Sequence, residues 1–190
     1  MEMLPIVHPE NNTPLGISLA RDKAIENGAW CRSTNIFILD TEGGVLCHKR
    51  SQQKERMPGV WVTHLGGHVG EGETYESNAI KEVSEEAGIE AKRFPLLTWR
   101  TTKIPGSRLW AREFVMLYDG DPDALVPQVG EVDEFQWMPV EEILKAAEKA
   151  PDTWCAGTHD FKTEYACMRA VCNAAHGLGI LELPDALHAW

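Results

Sequence analysis

GHVGEGETYESNAIKEVSEEAGI, residues 67–89, is the stretch that decides the fold of this chain. Its first half is rich in glycine, which permits tight turns and lets main-chain amides and carbonyls approach a ligand closely. Its second half carries the signals of a helix. Thr74 is placed to cap the first turn through its hydroxyl, and Gly88 is placed to end the helix in a left-handed conformation. The stretch therefore predicts a glycine loop followed directly by a helix.

Three carboxylates share one face of this predicted helix. Glu82, Glu85 and Glu86 stand at positions i, i+3 and i+4, and like charges at this spacing destabilise a bare helix. One interpretation is an ordinary solvated acidic face. The glycine loop before the helix favours the other interpretation, a site for a hard cation. Oxygen ligands without neighbouring cysteine or histidine ligands suit Mg²⁺, with Mn²⁺ as a substitute.

The whole stretch resembles the Nudix box, G-x5-E-x7-R-E-U-x-E-E-x-G-U, where U is aliphatic. Each fixed position is matched except one, where Lys81 replaces arginine. The resemblance implies the Nudix fold, of class α/β (α+β), in which a mixed β-sheet is sandwiched between helices. It also implies an enzyme that hydrolyses a diphosphate linkage in a small phosphorylated metabolite, foremost a nucleoside di- or triphosphate or a nucleotide derivative.

The resemblance further implies roles for individual residues. The metal ligands would be the three glutamates with the main-chain carbonyl of Gly67. Lys81 would orient Glu82, more loosely than arginine would, because an ammonium group lacks the planar two-pronged donor. The family often adds a carboxylate from a loop before a late strand. Glu131 is the first choice for this ligand or base, and Glu134 is the second.

The N-terminal part resembles the isopentenyl-diphosphate-isomerase-like branch of the family, through residues 14–16, 28–33, 49–51, 54 and 58–59. Isomerases carry a cysteine directly before a Gly-His pair, whereas Gly66 precedes Gly67 and His68 here. Cys31 stands where an isomerase has a metal-binding histidine. Hydrolysis is therefore favoured over isomerisation. Two alternatives stay open, an isoprenoid-diphosphate hydrolase or isomerase-like enzyme and a non-catalytic nucleotide-binding module.

Hydrophobic patterning predicts alternating strands and helices around the box. We expect a helix from Ser18 to Gly28, a hairpin of residues 36–39 and 45–47, and a short strand at residues 60–62. Further strands are expected at residues 96–102, 109–118 and around 135–137, with helices at residues 140–150 and 160–175. We assign residues 1–29 to an N-terminal extension, 30–150 to the Nudix domain, and 151–190 to a C-terminal helix and tail of the same domain.

The substrate contacts are less specific in the sequence. Arginine matches phosphate oxygens two at a time, so Arg50, Arg100, Arg108 and Arg112 are candidates, with surface solvation as the alternative. Trp99 and Trp110 could stack on a base or pack in the core. His68 is interpreted as a loop residue near the substrate. The selected substrate-binding set is Arg50, His68, Trp110 and Arg112.

Composition excludes some partners. The net charge of −11 argues against binding a nucleic-acid polymer, which requires a basic surface. We expect no membrane span and no apolar signal core. The five cysteines lack a C-x-x-C pair and are interpreted as free thiols. These features favour a cytoplasmic protein that acts on a small molecule. The apolar tail at residues 177–190 is expected to dock either on the domain itself or on a second subunit of a homodimer.

Overall fold

The computed structural model describes residues 2–93, 96–155, 164–170 and 173. The strands are β1 (Met3–Val7), β2 (Pro14–Ala20), β3 (Cys31–Asp40), β4 (Gly44–Arg50), β5 (Trp61–Val62), β6 (Leu96–Ile104), β7 (Leu109–Tyr118) and β8 (Val132–Pro139). The helices are α1 (Arg21–Glu26), α2 (Tyr75–Ala87) and α3 (Val140–Lys149). Residues 164–170 are also helical.

Six strands form one mixed sheet. Along its main path the order is β5-β4-β3-β7-β6, and β8 pairs with β4. Strands β3 and β7 run parallel over ten residue pairs, from Cys31 opposite Leu109 to Asp40 opposite Tyr118. Strand β4 pairs with β3 at a single register position, Leu39 opposite Val45. The two strands then separate, which leaves one edge of β3 free for the glycine loop.

Helices cover both faces of the sheet. Side chains alternate along each strand, so apolar residues point to both faces and each face has its own core. Ile36 and Ile38 on β3 belong to the core beneath α2, whereas Phe37 and Leu39 belong to the core beneath α3. On α2, the fully buried residues Ala79, Val83 and Ala87 recur every four residues and form one apolar stripe. This arrangement confirms the predicted sheet between helices.

Helix α2 begins and ends at the predicted residues. Thr74 accepts a hydrogen bond from the main-chain N–H of Ser77, and the Ser77 hydroxyl in turn accepts one from the N–H of Thr74, which completes a capping box. Gly88 ends the helix with φ of 68°, in the left-handed region. Local sequence signals therefore fix both ends of the helix that carries the three glutamates.

The predicted helix beginning at Ser18 is wrong at its start. Residues 14–20 form strand β2, which pairs antiparallel with β1, Leu4 lying opposite Leu19. The Ser18 hydroxyl does not cap a helix but donates a hydrogen bond to Oε1 of Glu71, at 2.9 Å. Helix α1 starts only at Arg21, and its N-cap residue, Ala20, offers no side-chain bond. Pairing between distant segments thus overrides the local capping signal.

The remaining predicted elements are present with slightly different limits. The helix expected at residues 160–175 is observed in its described part, where Met168 is fully buried and Tyr165 packs against the α3-side core. Phe161, Cys172 and the tail at residues 177–190 lie outside the described residues. Among the described cysteines, those at positions 31, 47 and 167 are free thiols. No helix in the described ranges is long and apolar enough to span a membrane.

Candidate functional site

The glycine loop lies between β3 and α2. Its backbone runs antiparallel to β3, where the N–H of Ile36 donates to the carbonyl of Leu65 at 2.8 Å and the N–H of Thr34 donates to that of Gly67 at 2.9 Å. On its other side, the N–H of Gly66 donates to Oε2 of Glu86 at 3.2 Å. The strand therefore holds the loop directly against the carboxylates of the helix.

The absence of a side chain at Gly67 makes this contact possible. A β-carbon at this position would lie 2.6 Å from Oε1 of Glu82, which is closer than real β-carbons approach other atoms. The Gly67 main chain and the Glu82 carboxylate are thus in close contact, as a shared ligand site requires. The structure brings Gly67, Glu82 and Glu86 together.

Negative charge accumulates at this contact without full compensation. Glu86 is 9% exposed, and its pKa is raised to about 8, first by burial and then by Glu82, with Glu131 adding to the effect. The N–H of Gly66 and the ammonium of Lys54 oppose this rise. Burial likewise raises the pKa of Glu82, against the charge of Lys81. Buried carboxylates with raised pKa values are stabilised by a bound cation.

Glu131 approaches the site from the loop before β8. Its main-chain carbonyl accepts a hydrogen bond from the N–H of Ser51 at 2.9 Å, and its carboxylate forms a salt bridge with Lys54. Glu134 lies further along, exposed on β8 with Lys49 as its register partner. Of the two acids named from the sequence, Glu131 is the one whose charge acts on Glu86.

Glu85 and Lys81 flank the carboxylate pair. Glu85 is exposed, and its charge raises the pKa of both Lys81 and Glu82. The Lys81 ammonium lies 2.8 Å from Oε1 of Glu73 and 3.7 Å from Oε1 of Glu82. Its shorter contact is therefore with Glu73.

The donor set fits a hard divalent cation. All of the candidate ligands are oxygen atoms, from carboxylates and one carbonyl, which is the preference of Mg²⁺ and Mn²⁺. Within the described ranges, no three side chains of His, Cys, Asp or Glu are already arranged to hold an ion. Instead, Oε2 of Glu86 accepts the Gly66 N–H and Oε1 of Glu82 accepts a bond from Asn78. A cation would draw together the carboxylates that these protein donors now hold in place.

Two of the predicted substrate-binding residues, Arg50 and His68, belong to the end of β4 and to the glycine loop. The Arg50 guanidinium donates to the main-chain carbonyl of Arg56 at 3.2 Å, in the segment that also carries Lys54. His68 follows the Gly67 carbonyl and lines a cavity of about 310 Å³, which Cys31 and Arg108 also line. Burial lowers the pKa of His68, and Arg21 lowers it further, so its imidazole is held neutral.

The other two predicted substrate-binding residues lie beside the first turn of α2. The Trp110 carbonyl accepts a hydrogen bond from the Tyr75 hydroxyl at 3.1 Å, and the Arg112 guanidinium stacks 4.4 Å from the Tyr75 ring centre. Arg112 also donates to Glu76 at 3.0 Å. Tyr75 and Glu86 are eleven residues apart, about 16 Å along the helix axis. The structure does not bring Trp110 and Arg112 to the carboxylates.

Arg100, another arginine considered from the sequence, lies on the α3 side of the sheet. It donates to Glu113 at 2.7 Å and to Glu164 in the C-terminal helical segment, also at 2.7 Å. Glu113 is 5% exposed, so this pair satisfies a buried acid. Arg100 therefore already has two carboxylate partners.

Sequence reasoning missed two residues of the site. Asn78 bonds both the glycine loop and Glu82, and its position four residues before Glu82 on a predicted helix was an available signal. Lys54 contacts Glu131 across 77 positions of sequence, and no local pattern indicates such a pair. Both residues join elements that meet only in the folded chain.

Gly66 occupies the position at which the resemblance to isomerases would place a cysteine. Its φ is 147°, and a β-carbon there would lie 2.0 Å from the main-chain oxygen of Thr34. The backbone of β3 fills the space that any side chain at this position needs. The loop therefore has no thiol, and in this conformation it also has no space for a cysteine side chain.

Comparison with known proteins gives the same family as the sequence motif. A NUDIX domain model matches residues 30–156. The isopentenyl-diphosphate Delta-isomerase of Kocuria rhizophila is 28% identical over 148 residues, covering 75% of this chain and 81% of the relative. An uncharacterized Nudix hydrolase of Yersinia pestis is 34% identical over 123 residues, covering 64% of this chain and 66% of the relative.

Solved structures show the same fold. A Deinococcus radiodurans crystal structure superposes with a TM-score of 0.69 at 21% identity, covering 90% of this chain and 99% of its own. The MutT protein of Methanosarcina mazei superposes with a TM-score of 0.56 at 22% identity, covering 73% of this chain and 94% of its own. The domain match covers more than half of the sequence and includes the loop and helix described above, so this chain belongs to the Nudix family.

Proposed function

We propose that this protein is a metal-dependent Nudix hydrolase that cleaves a diphosphate linkage in a small phosphorylated metabolite. Nucleoside di- and triphosphates and their derivatives are the substrate class we favour. The observation that carries the proposal is the contact of Glu82 and Glu86 with the Gly66–Gly67 backbone, in a setting that raises the pKa of both carboxyls. The oxygen donors and the excess of negative charge both support a divalent cation there.

Glu82, Glu85, Glu86 and the Gly67 carbonyl would hold Mg²⁺, with Mn²⁺ as a substitute. When bound, the ion would supply a water of lowered pKa and positive charge for the diphosphate oxygens. The protein contributes the placement of its own groups. Glu131, whose charge acts on Glu86 and whose carboxylate pairs with Lys54, would accept a proton or add an oxygen ligand.

Positive charge for the substrate would come from the residues that face Glu131. Lys54 and Arg50 lie on the segment that faces Glu131, and a diphosphate bound over the carboxylates would meet them. Lys54 would then exchange its carboxylate partner for a phosphate oxygen, which would free Glu131. This exchange couples the arrival of the substrate to the availability of a base.

An isomerase-like enzyme acting on isoprenoid diphosphates is the second candidate. It is favoured by curated relatives such as the Kocuria rhizophila protein, which are named isopentenyl-diphosphate Delta-isomerases. The geometry of Gly66 weighs against isomerisation, because the loop has no space for the required thiol. Hydrolysis of an isoprenoid diphosphate would remain compatible with that geometry.

The proposal is tested with a panel of nucleotides, nucleotide derivatives and isopentenyl diphosphate, assayed with Mg²⁺, with Mn²⁺ and with EDTA. We expect metal-dependent release of phosphate or pyrophosphate from one class. Glu85→Gln and Glu86→Gln should each lower turnover at least about 100-fold, because each removes a ligand. Glu90→Gln is the matched control, since Glu90 is exposed just beyond the helix and pairs only loosely with Arg93, at 3.7 Å.

Three results would contradict the proposal in different ways. Wild-type rates in both ligand variants would refute the metal assignment. Tight binding of one panel member without any turnover would identify a non-catalytic binding module. Conversion of isopentenyl diphosphate into its isomer would establish the second candidate.

A further inference from the structure

Asn78 is a buried polar residue with every side-chain atom engaged. Its exposed fraction is 0%, on the face of α2 that meets β3 and the glycine loop. Its Oδ1 accepts a hydrogen bond from the Thr34 hydroxyl at 2.6 Å. Its Nδ2 lies 2.9 Å from the His68 carbonyl and 3.2 Å from Oε1 of Glu82. The same nitrogen lies 2.9 Å from Oε2 of Glu73, so its two hydrogens are shared among three acceptors.

These contacts join strand β3, the glycine loop and helix α2, whose relative positions must be kept for an ion to bind. The His68 carbonyl belongs to the loop residue directly after Gly67, so Asn78 fixes the backbone next to one candidate ligand. The bond to Glu82 fixes a second candidate ligand. The bond from Thr34 ties both to β3, which also holds the Gly67 carbonyl. A single side chain therefore links strand, loop and carboxylate.

Lys81 does not provide this link alone. Its ammonium is 3.7 Å from Oε1 of Glu82 but 2.8 Å from Glu73, and its side chain is 39% exposed. An ammonium is a point charge and cannot fix two acceptors in one plane as a guanidinium does. The hydrogen-bond contact with Glu82 at this site comes from Asn78.

We propose that Asn78 is a positioning residue for metal binding, which holds Glu82 and the loop backbone in the arrangement that receives the cation. This inference rests on the proposed function for its metal site. The contacts of Asn78 and Lys81 with Glu82 both fall on Oε1, so Oε2 is the oxygen offered to the ion. Groups that orient ligands in this way typically contribute about 10–100-fold to metal affinity or activity.

The test compares two variants that disturb the same cluster differently. Asn78→Leu keeps the branched shape but removes both the donors and the acceptor. Thr34→Val removes only the hydroxyl that bonds Oδ1 and leaves the amide donors in place. Mn²⁺ affinity is measured from the electron paramagnetic resonance signal of the free ion, together with the Tm of the metal-free proteins and with kcat and KM.

We expect Asn78→Leu to weaken Mn²⁺ binding about 10–100-fold and to lower kcat by a similar factor, with KM changed less. Thr34→Val should lower the Tm and weaken Mn²⁺ binding less than Asn78→Leu does, because the amide donors to Glu82 and the loop remain in place. Equal losses of affinity in both variants, or wild-type affinity in folded Asn78→Leu, would overturn the inference. If Asn78→Leu does not fold, Asn78→Ser, which restores one hydroxyl, takes its place. Failure of both to fold would show a purely structural role.

The Mn²⁺ measurement also separates this inference from the function on which it rests. A wild-type protein that binds Mn²⁺ but hydrolyses nothing would refute the hydrolase proposal, and the affinity comparison would still decide the role of Asn78. An active wild type with an equally active and equally Mn²⁺-binding Asn78→Leu variant would refute the role of Asn78 alone. A wild type that does not bind Mn²⁺ would refute both.

Discussion

Gly66 is the residue that bears most directly on the choice between the two proposed activities. Its amide donates to Glu86, and its α-carbon lies where β3 leaves no space for a side chain. A cysteine there would need the Thr34 carbonyl to move, which would disturb the strand that holds Gly67 in place. The residue therefore weighs against the proposed alternative of isomerisation, through the lack of space around it as well as through the missing thiol.

Gly66→Cys should consequently fail to create an isomerase. We expect the variant to be destabilised by at least about 1–3 kcal/mol, because a strained backbone is combined with an overlap. Urea unfolding and an isomerase assay with isopentenyl diphosphate measure the two effects. Gly106→Cys is the matched control, since a β-carbon at Gly106 meets nothing within 4 Å. Isomerase activity in a stable Gly66→Cys protein would contradict the steric argument.

Helix α2 is the element that carries most of the site, and its ends are set by local bonds. The capping box satisfies main-chain N–H groups of the first turn that have no partner within the helix. The carboxylates lie in the last two turns, at least about 12 Å from Thr74 along the helix axis. The cap should thus affect the stability of the helix more than the geometry of its ligands.

Thr74→Ala tests this separation. We expect a loss of about 1 kcal/mol in the free energy of unfolding, measured with urea, and an unchanged Mn²⁺ affinity. Thr74→Ser keeps a hydroxyl and should retain most of the stability. A large loss of Mn²⁺ affinity in Thr74→Ala would show instead that the first turn of α2 affects the positions of the carboxylates in its last two turns.

The ends of α2 were predicted correctly and the segment of β2 was not, and the comparison shows which parts of the structure can be predicted from sequence. The ends of α2 depend on residues three or four positions apart, so Thr74 and Gly88 could be identified directly. Ser18 carries an equally local signal, but its segment pairs with β1, and that pairing determines the outcome. The contact of Lys54 with Glu131 and the bond of Asn78 to the loop also depend on the fold. Predictions failed where distant segments supply the partner.

At the scale of the whole molecule, two neutral histidines make folding sensitive to acid. His48 is 4% exposed, and burial lowers its pKa to about 3, with His64 and Arg50 acting in the same direction. Burial lowers the pKa of His64 to about 4, with Arg50 acting in the same direction. Both values lie below the ordinary histidine pKa of about 6.5. Between that value and pH 4, the unfolded chain binds protons that the folded protein does not accept.

Each of the two histidines should therefore lower the stability by up to about 1.4 kcal/mol per pH unit as the pH drops below about 6.5. We expect His48→Gln to make this slope shallower by up to one proton, because the replacement cannot titrate. Urea unfolding at several pH values between 7 and 5 measures the slope, with His8→Gln at an exposed position as the control. Glu86, whose pKa is raised to about 8, acts in the opposite direction between pH 5 and 7 but is the same in both proteins. An unchanged slope in His48→Gln would therefore mean that His48 accepts its proton inside the folded protein. Burial of an imidazole whose Nδ1 has no hydrogen-bond partner in the described structure argues against that outcome.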